Sequence, residues 1–305
     1  MSKNKNSHIL VTGGAGFIGS HLVDALVSSG NRVRVLDNLS RGKLLFLEKH
    51  IANESVEFIK ADLQDYQAVQ QATVGIDIVF HLAAQANVMG AEVDPEYSFH
   101  SNVEGTFHVL QAALESGTID RVIFSSSREV YGEVLSLPVS EDAPLIAKNR
   151  YGASKIAAEA YCQLYYSPEM RVSVLRLANV YGPRDQDRVI PIFIERIKQK
   201  LPLKLFGGEQ IIDFIPIDFV VDAFIKAAQM MPDKPINIAS GKGTAVRELA
   251  QHIIQLSGSQ VMINTLPSRE MEVLQFVANT DRMQKILKLI PPKDPLVSLD
   301  DMIVI

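Results

Sequence analysis

The run Gly13-Gly14-Ala15-Gly16-Phe17-Ile18-Gly19 lies between a short apolar run at residues 8–12 and a helical pattern at 17–27. Strand, glycine turn and helix in that order constrain the chain strongly. Gly13 and Gly16 permit a tight turn whose backbone N–H groups can approach a pyrophosphate. Gly19 lets the helix pack close to the sheet. A lone glycine motif is also compatible with an ordinary turn, so the neighbours decide. The next strand-like run, 32–37, ends on Asp37, an acid placed to accept from ribose hydroxyls. Asp37 would repel a 2′-phosphate, which favours NAD over NADP; Arg41 nearby argues the other way.

The rest of the first half repeats the alternation. Buried-type β runs at 56–61, 76–84, 121–125 and 172–178 are separated by helical stretches such as 66–72 and 103–115. That rhythm predicts an α/β fold, a parallel sheet wound on both faces by helices. Past Gly182-Pro183 the rhythm breaks: 193–200 reads as helix, 203–206 as strand, 220–230 as helix, and 236–238 as a strand able to rejoin the main sheet. Residues 245–256 read as the last clear helix. The expected division is a dinucleotide domain of residues 1–178 plus about 214–240, and a smaller substrate lobe of about 179–213 plus 241–305, with a cleft between them.

The chain has 305 residues, 47% hydrophobic and 21% charged, enough for a sizeable core. A net charge of −5 gives no bulk support for nucleic acid or an anionic membrane. No apolar run reaches membrane-spanning length and residues 1–7 carry no leader pattern, so a cytoplasmic protein is expected. The single cysteine, Cys162, rules out an intrachain disulfide and a cysteine metal cluster, and its place in a helical pattern suggests packing. No metal site is expected.

Tyr151 and Lys155 stand four apart, on one face of a helix. A lysine beside a phenol favours the phenolate and makes the tyrosine a credible proton shuttle. Three serines, Ser125 to Ser127, follow a buried run upstream and either satisfy a turn or complete that site. Asp62 could meet an adenine edge or cap the next helix. His81 ends a strand, a position more often structural than catalytic.

Several segments occur in order: Thr12-Gly13-Gly14-Ala15-Gly16-Phe17-Ile18-Gly19-Ser20-His21, His81-Leu82-Ala83-Ala84-Gln85, Asn102-Val103-Glu104-Gly105-Thr106, Ser125-Ser126-Ser127-Arg128-Glu129-Val130-Tyr131-Gly132, Tyr151-Gly152-Ala153-Ser154-Lys155 and Arg176-Leu177-Ala178-Asn179-Val180-Tyr181-Gly182-Pro183-Arg184. Together, over roughly residues 8–290, the chain resembles the extended short-chain dehydrogenase/reductases, specifically the nucleotide-sugar epimerase/dehydratase group with its Rossmann-type domain. The resemblance implies NAD, held by Gly13, Gly16, Phe17, Ile18 and Gly19 at the turn and by Asp37, Asn38, Asp62 and Leu63 along the adenosine. Leu82, Ala83, Ala84, Asn102, Tyr151 and Lys155 would complete that contact set. It also implies an opening step in which Tyr151 takes the proton of a sugar 4-hydroxyl, Ser127 bonds the same oxygen, and Lys155 holds the nicotinamide ribose and lowers the tyrosine pKa. Hydride passes from sugar C4 to NAD and, in epimerases, returns to the other face. Asn179 and Arg269 would hold the nucleotide diphosphate. Val88, Ser127, Arg128, Val189 and Phe206 would line the rest of the substrate site, Phe206 either flanking the base or packing in the core.

Three departures from the family pattern bear on the reaction. Ile212 stands where an arginine usually meets the diphosphate, and an alkyl side chain cannot make that charge-assisted bond. Arg128-Glu129 replaces small residues common in simple 4-epimerases. Glu129 could deprotonate sugar C5 beside a C4 ketone, whereas Arg128 cannot serve as the acid dehydratases place there; alternatively the two form a structural pair. The end, 296–305, is shorter than usual. The loop at 87–91 also lacks a serine often found near its end. The resulting expectation is 4-epimerisation of a nucleotide diphosphate sugar, most simply a UDP-sugar, by a homodimer joined through helices at 103–115 and 153–166. The alternative is a dehydratase or decarboxylase using Glu129, and from another class a non-catalytic NAD-binding sensor.

Overall fold

The computed structural model describes residues 7–303. From the N-terminus run β1 (His8–Thr12), α1 (Phe17–Ser28), β2 (Arg32–Asp37), α2 (Glu48–Ala52), β3 (Val56–Lys60), α3 (Tyr66–Thr73) and β4 (Ile78–His81). Then come α4 (Val88–Val93), α5 (Pro95–Phe99), α6 (Gly105–Ser116), β5 (Arg121–Ser127), α7 (Arg150–Tyr165) and β6 (Arg171–Leu177). The remaining chain forms β7 (Asn179–Tyr181), α8 (Val189–Lys198), β8 (Leu203–Phe206), β9 (Ile211–Pro216), α9 (Ile217–Met230) and β10 (Ile236–Ile238). It closes with β11 (Gly243–Ala245), α10 (Val246–Ser257), β12 (Ile263–Leu266) and α11 (Asp281–Leu287).

Seven parallel strands form the main sheet in the order β10-β6-β5-β4-β1-β2-β3. Side chains alternate across each strand, and both faces are covered, so the strands are apolar almost throughout. Ile9, Val11, Phe80 and Ile123 enter a core shared with α1 and α9, while Leu10, Val79, Val122 and Phe124 enter one shared with α3, α6 and α7. Each such side chain, fully buried, contributes about 1.5–3 kcal/mol. The strand order reverses between β1 and β4, and in open parallel sheets a crevice opens there at the carboxyl ends of the strands.

A third core joins α8, α10 and β8 through Phe193, Ile197, Leu203, Leu205, Leu249 and Ile253. Beside it lie a three-stranded sheet, β11-β9-β7, and a parallel pair, β12-β8. β10 joins the main sheet on β6, whereas β9, which straddles residues 213 and 214, belongs to the small sheet.

Some bounds differ from the sequence expectation for local reasons. β4 stops at His81, because small residues after it turn away over the crevice. α8 begins at Val189, four residues early; Pro191 falls in its first turn, where a missing N–H is tolerated. β7, β9, β11, β12 and α11 were not anticipated. Near the C-terminus Leu299 is buried in the third core, and a short 3₁₀ turn, Asp300–Met302, follows; residues 304–305, like 1–6, lie outside the described residues.

Candidate active site

At the crevice lie two adjoining cavities that share Ile18, Arg41, Leu82, Ala84, Ala86, Asp187 and Arg188. The first, about 540 Å³, runs along the glycine turn and the ends of β2 and β3. Gly13 has φ +71°, and a Cβ there would lie 2.7 Å from the Ala83 backbone nitrogen, so only glycine fits between the turn and the strand beside it. The buried Asp37 carboxylate accepts from the backbone N–H of Ala15 (3.0 Å) and Leu39 (2.8 Å). Burial raises its pKa, and those two bonds oppose the rise. Asp62 accepts from the Asn38 amide (2.6 Å) and from the Gln64 N–H (3.0 Å), shaping the loop. The helix cap, the alternative role read for Asp62, falls instead to Asp65, whose carboxylate accepts from Ala68 N–H at 3.1 Å.

Phe17, Ile18, Gly16, Gly19, Leu63, Leu82, Ala83 and Ala84 all line this cavity. Asn102 does not. It is buried beneath, where its amide bonds the Gln85 N–H (2.8 Å) and the Ser154 hydroxyl (2.9 Å), tying the loop after β4 to α7. His81 is structural: it sits between the hydroxyls of Thr12 (2.7 Å) and Thr106 (3.0 Å), and burial drops its pKa to about 3, so the ring is neutral.

The second cavity, about 400 Å³, is lined by Ser127, Arg128, Glu129, Tyr151, Lys155, Val88, Asn179, Val189, Phe206, Ile212 and Arg269. Ser127 ends β5, and Tyr151 and Lys155 share a face of α7. Gly152 permits that approach: a Cβ there would lie 2.4 Å from the Glu129 carbonyl oxygen. Lys155 Nζ donates to the Ser125 carbonyl (2.9 Å) and lies 4.7 Å from the centroid of the Phe124 ring. Burial brings its pKa down to about 8, against the pull of Glu159.

The tyrosine departs from expectation. Burial pushes the Tyr151 pKa up to about 12, with the Ser127 hydroxyl and the charges of Arg188 and Arg41 drawing it back and Glu129 adding to it. Lys155, 5.9 Å from the ring centroid, does not overcome this desolvation. Without a ligand, Tyr151 is therefore a neutral phenol.

Glu129 is buried and held on both oxygens, by Arg128 at 2.9 Å and by the Asn149 amide at 2.8 Å. Asn149 also caps α7, accepting from Gly152 N–H at 2.8 Å, so one side chain fixes both the helix start and the acid. Deeper still, Ser126 donates to Glu159, which pairs with buried Arg176 at 2.7 Å. On the far wall the Arg269 guanidinium lies 3.7 Å from the Phe206 ring centroid and pairs with Glu272 at 3.1 Å. One face of Phe206 is therefore already covered.

Residues 9–239 match the model of the NAD-dependent epimerase/dehydratase family. The chain belongs to that family. It is 38% identical over 248 residues to the UDP-glucose 4-epimerase of Mycolicibacterium smegmatis, covering 79% of each chain. It is 34% identical over 295 residues to the UDP-N-acetyl-alpha-D-glucosaminuronate decarboxylase of Bacillus cytotoxicus, covering 92% of this chain and 89% of the other. The solved structure of UDP-N-acetylglucosamine 4-epimerase from Methanobrevibacter ruminantium M1 in complex with UDP-N-acetylmuramic acid superposes with a TM-score of 0.92, at 32% identity over 98% of this chain and 97% of that one.

In this epimerase/dehydratase-family enzyme the coenzyme is NAD, and the first cavity fits it. The narrow turn at Gly13 opens onto the N-terminus of α1, and the Asp37 carboxylate lies where a 2′-phosphate would meet like charge. Sequence reasoning missed what closes this cavity. The loop at 182–188 crosses to the NAD-binding half: His21 Nε2 bonds the Pro183 carbonyl (2.9 Å), Arg184 pairs with Asp24 (2.8 Å), and Arg41 with Asp187 (2.6 and 2.5 Å). Arg188 lies over the Phe17 ring at 5.3 Å. Arg41, read from sequence as a competing phosphate ligand, is thus engaged with Asp187. Asn149 was also missed; a polar residue two before Tyr151 was the only local sign of the cap.

Proposed function

We propose that the protein is an NAD-dependent 4-epimerase of a nucleotide diphosphate sugar, most simply a UDP-sugar. The observation that carries this reading is the state of Glu129. Its carboxylate shares a wall with Ser127 and Tyr151, yet both its oxygens are tied down, by Arg128 at 2.9 Å and Asn149 at 2.8 Å. A base for C5 would have to break those bonds. Ser127 and Tyr151 alone suffice for moving a proton on and off a 4-hydroxyl.

In this scheme Tyr151 takes the hydroxyl proton and Ser127 holds the oxygen as its charge develops. Lys155 favours the phenolate and is itself fixed by the Ser125 carbonyl. NAD, held in the first cavity, would supply hydride-accepting and hydride-returning chemistry, and the charge of its oxidised ring would favour the phenolate. Asn179 and Arg269 would hold the nucleotide while the ketone turns within the pocket, and Val88 and Val189 would bound the sugar. The second reading, dehydration or decarboxylation through Glu129, is favoured by the buried acid itself and by the likeness to a decarboxylase. A non-catalytic NAD sensor is disfavoured by the grouping of Ser127, Tyr151 and Lys155 on one cavity.

Incubating the protein with UDP-, dTDP- and GDP-sugars and following the sugar by NMR and mass separates these readings. Unchanged mass with inverted C4 is expected; loss of water or carbon dioxide points to the second reading, and no turnover with tight NAD binding to the sensor. Tyr151→Phe should abolish turnover while sparing NAD binding, and an active variant would sink the assigned role.

A homodimer is part of the same proposal. Phe107 and Leu114 on α6 and Leu164 on α7 are exposed at 37, 48 and 79%, an apolar face suited to a second copy. Sedimentation velocity giving a monomer at micromolar concentration would count against it. We also place the enzyme in the cytoplasm, in keeping with its one buried thiol; recovery from a secreted fraction would contradict that.

A further inference from the structure

The cavity wall beside Tyr151 holds a carboxylate that the proposed reaction does not use. Glu129 lines the cavity with Ser127 and Tyr151, and its side chain is 8% exposed. Each oxygen has its own donor, Arg128 on Oε1 at 2.9 Å and the Asn149 amide on Oε2 at 2.8 Å. Both donors are themselves anchored. The Arg128 guanidinium lies 5.6 Å from the Phe276 ring centroid, and that ring stacks on Tyr131 at 5.9 Å. Asn149 is buried, does not line the cavity, and is fixed by the cap bond from Gly152 N–H. Its bond therefore draws Oε2 into the wall and away from the open space.

A free carboxylate at this place would be hazardous to a 4-keto sugar. Once C4 is a ketone, the hydrogens on C3 and C5 are acidic, because the electron pair left by either one delocalises onto the carbonyl oxygen. A base that takes such a proton leaves an enolate. Reprotonation from solvent then returns the ketone with an exchanged hydrogen and a configuration open to inversion. Moving a proton on and off O4 needs none of this. A general base must come within hydrogen-bond reach of its proton. Glu129 can do so only by breaking a charge-assisted bond, which slows the transfer roughly ten- to a hundredfold.

We propose that Arg128 and Asn149 are specificity-determining residues: they hold Glu129 against the wall, so that the 4-keto sugar keeps its C3 and C5 hydrogens until C4 is reduced. This rests on the 4-epimerase reading above. The test supplies the ketone directly. The protein loaded with oxidised NAD, which cannot reduce C4, is mixed in heavy water with a UDP-linked 4-keto-6-deoxyhexose. The C3 and C5 protons are followed by NMR, and binding is read in parallel by saturation transfer. Wild type should bind the ketone and leave its exchange at the uncatalysed rate. Asn149→Ser, which keeps a helix-capping hydroxyl but is too short to hold Glu129, should speed exchange at C3 or C5 roughly ten- to a hundredfold. Arg128→Met frees the other oxygen and leaves the cap alone; it should do the same, and it decides the matter if the first variant does not fold. Adding Glu129→Gln to either should return exchange to the uncatalysed rate. Wild type that exchanges as fast as the variants would overturn the assignment. So would folded variants that bind the ketone and exchange no faster than wild type, or exchange that survives Glu129→Gln. Failure of wild type to bind the ketone, or to invert C4 of any UDP-sugar, would overturn the 4-epimerase reading, and this assignment with it.

Discussion

His81 shows how burial fixes a protonation state. Unfolded, a histidine takes its proton near pH 6.5; between Thr12 and Thr106 it does so only near about 3. Between those values the unfolded chain binds a proton that the folded protein refuses. Stability is therefore intact above pH 6.5 and falls as pH drops toward 3, by up to about 1.4 kcal/mol per unit from this group. In His81→Gln, which cannot titrate, the stability gap to wild type should narrow as pH falls through that window, read by denaturant unfolding at several pH values. Parallel pH slopes would show that His81 protonates normally. Tyr151 and Lys155 were legible as a pair because helical spacing is a local property. The state of that tyrosine was not, because its pKa is set by how much of the fold lies over it.

Among the elements, the loop after β7 stands out, since it straps the NAD cavity with contacts to α1 and to the loop after β2. The Arg41–Asp187 pair is partly exposed, at 39 and 46%, so it contributes about 0.2–1 kcal/mol. Asp187→Asn should therefore speed release of NADH by roughly 1.4- to 5-fold, read by stopped-flow fluorescence, with a smaller ratio in high salt. An unchanged release rate would show that the loop does not hold the coenzyme. The central strands were readable because each is an apolar run bounded by turn residues. β7, β9 and β11 were not: three to six residues long, they exist because they pair with one another. The strap was equally hidden, because Arg41 and Asp187 are distant in the chain and nothing local distinguishes a paired arginine from a free one.

At the scale of the whole molecule, a buried polar network joins the sheet to the site. Arg176 on β6 pairs with Glu159 on α7 and donates to the Tyr131 hydroxyl (2.9 Å), which itself donates to Asn237 on β10 (2.7 Å). Glu159 also receives the Ser126 hydroxyl, one residue before Ser127. Glu159→Ala would strand a guanidinium that is 5% exposed, a change that costs about 3–5 kcal/mol. Chemical denaturation should show that loss, and one below about 1 kcal/mol would mean that water or another carboxylate replaces Glu159. By itself the sequence determined the doubly wound NAD fold, the glycine turn with its Asp37, and the Ser127, Tyr151, Lys155 grouping. The fold, the glycine turn and the Tyr151/Lys155 pair are written in periodicity or in fixed short spacing, whereas Ser127 joined that pair through the resemblance to the family. Only the tertiary structure decided that Glu129 is bound by Arg128 and Asn149 and that Asn102 lies below the cavity. Charge pairing and desolvation depend on which distant segments meet, and chain order does not encode that locally.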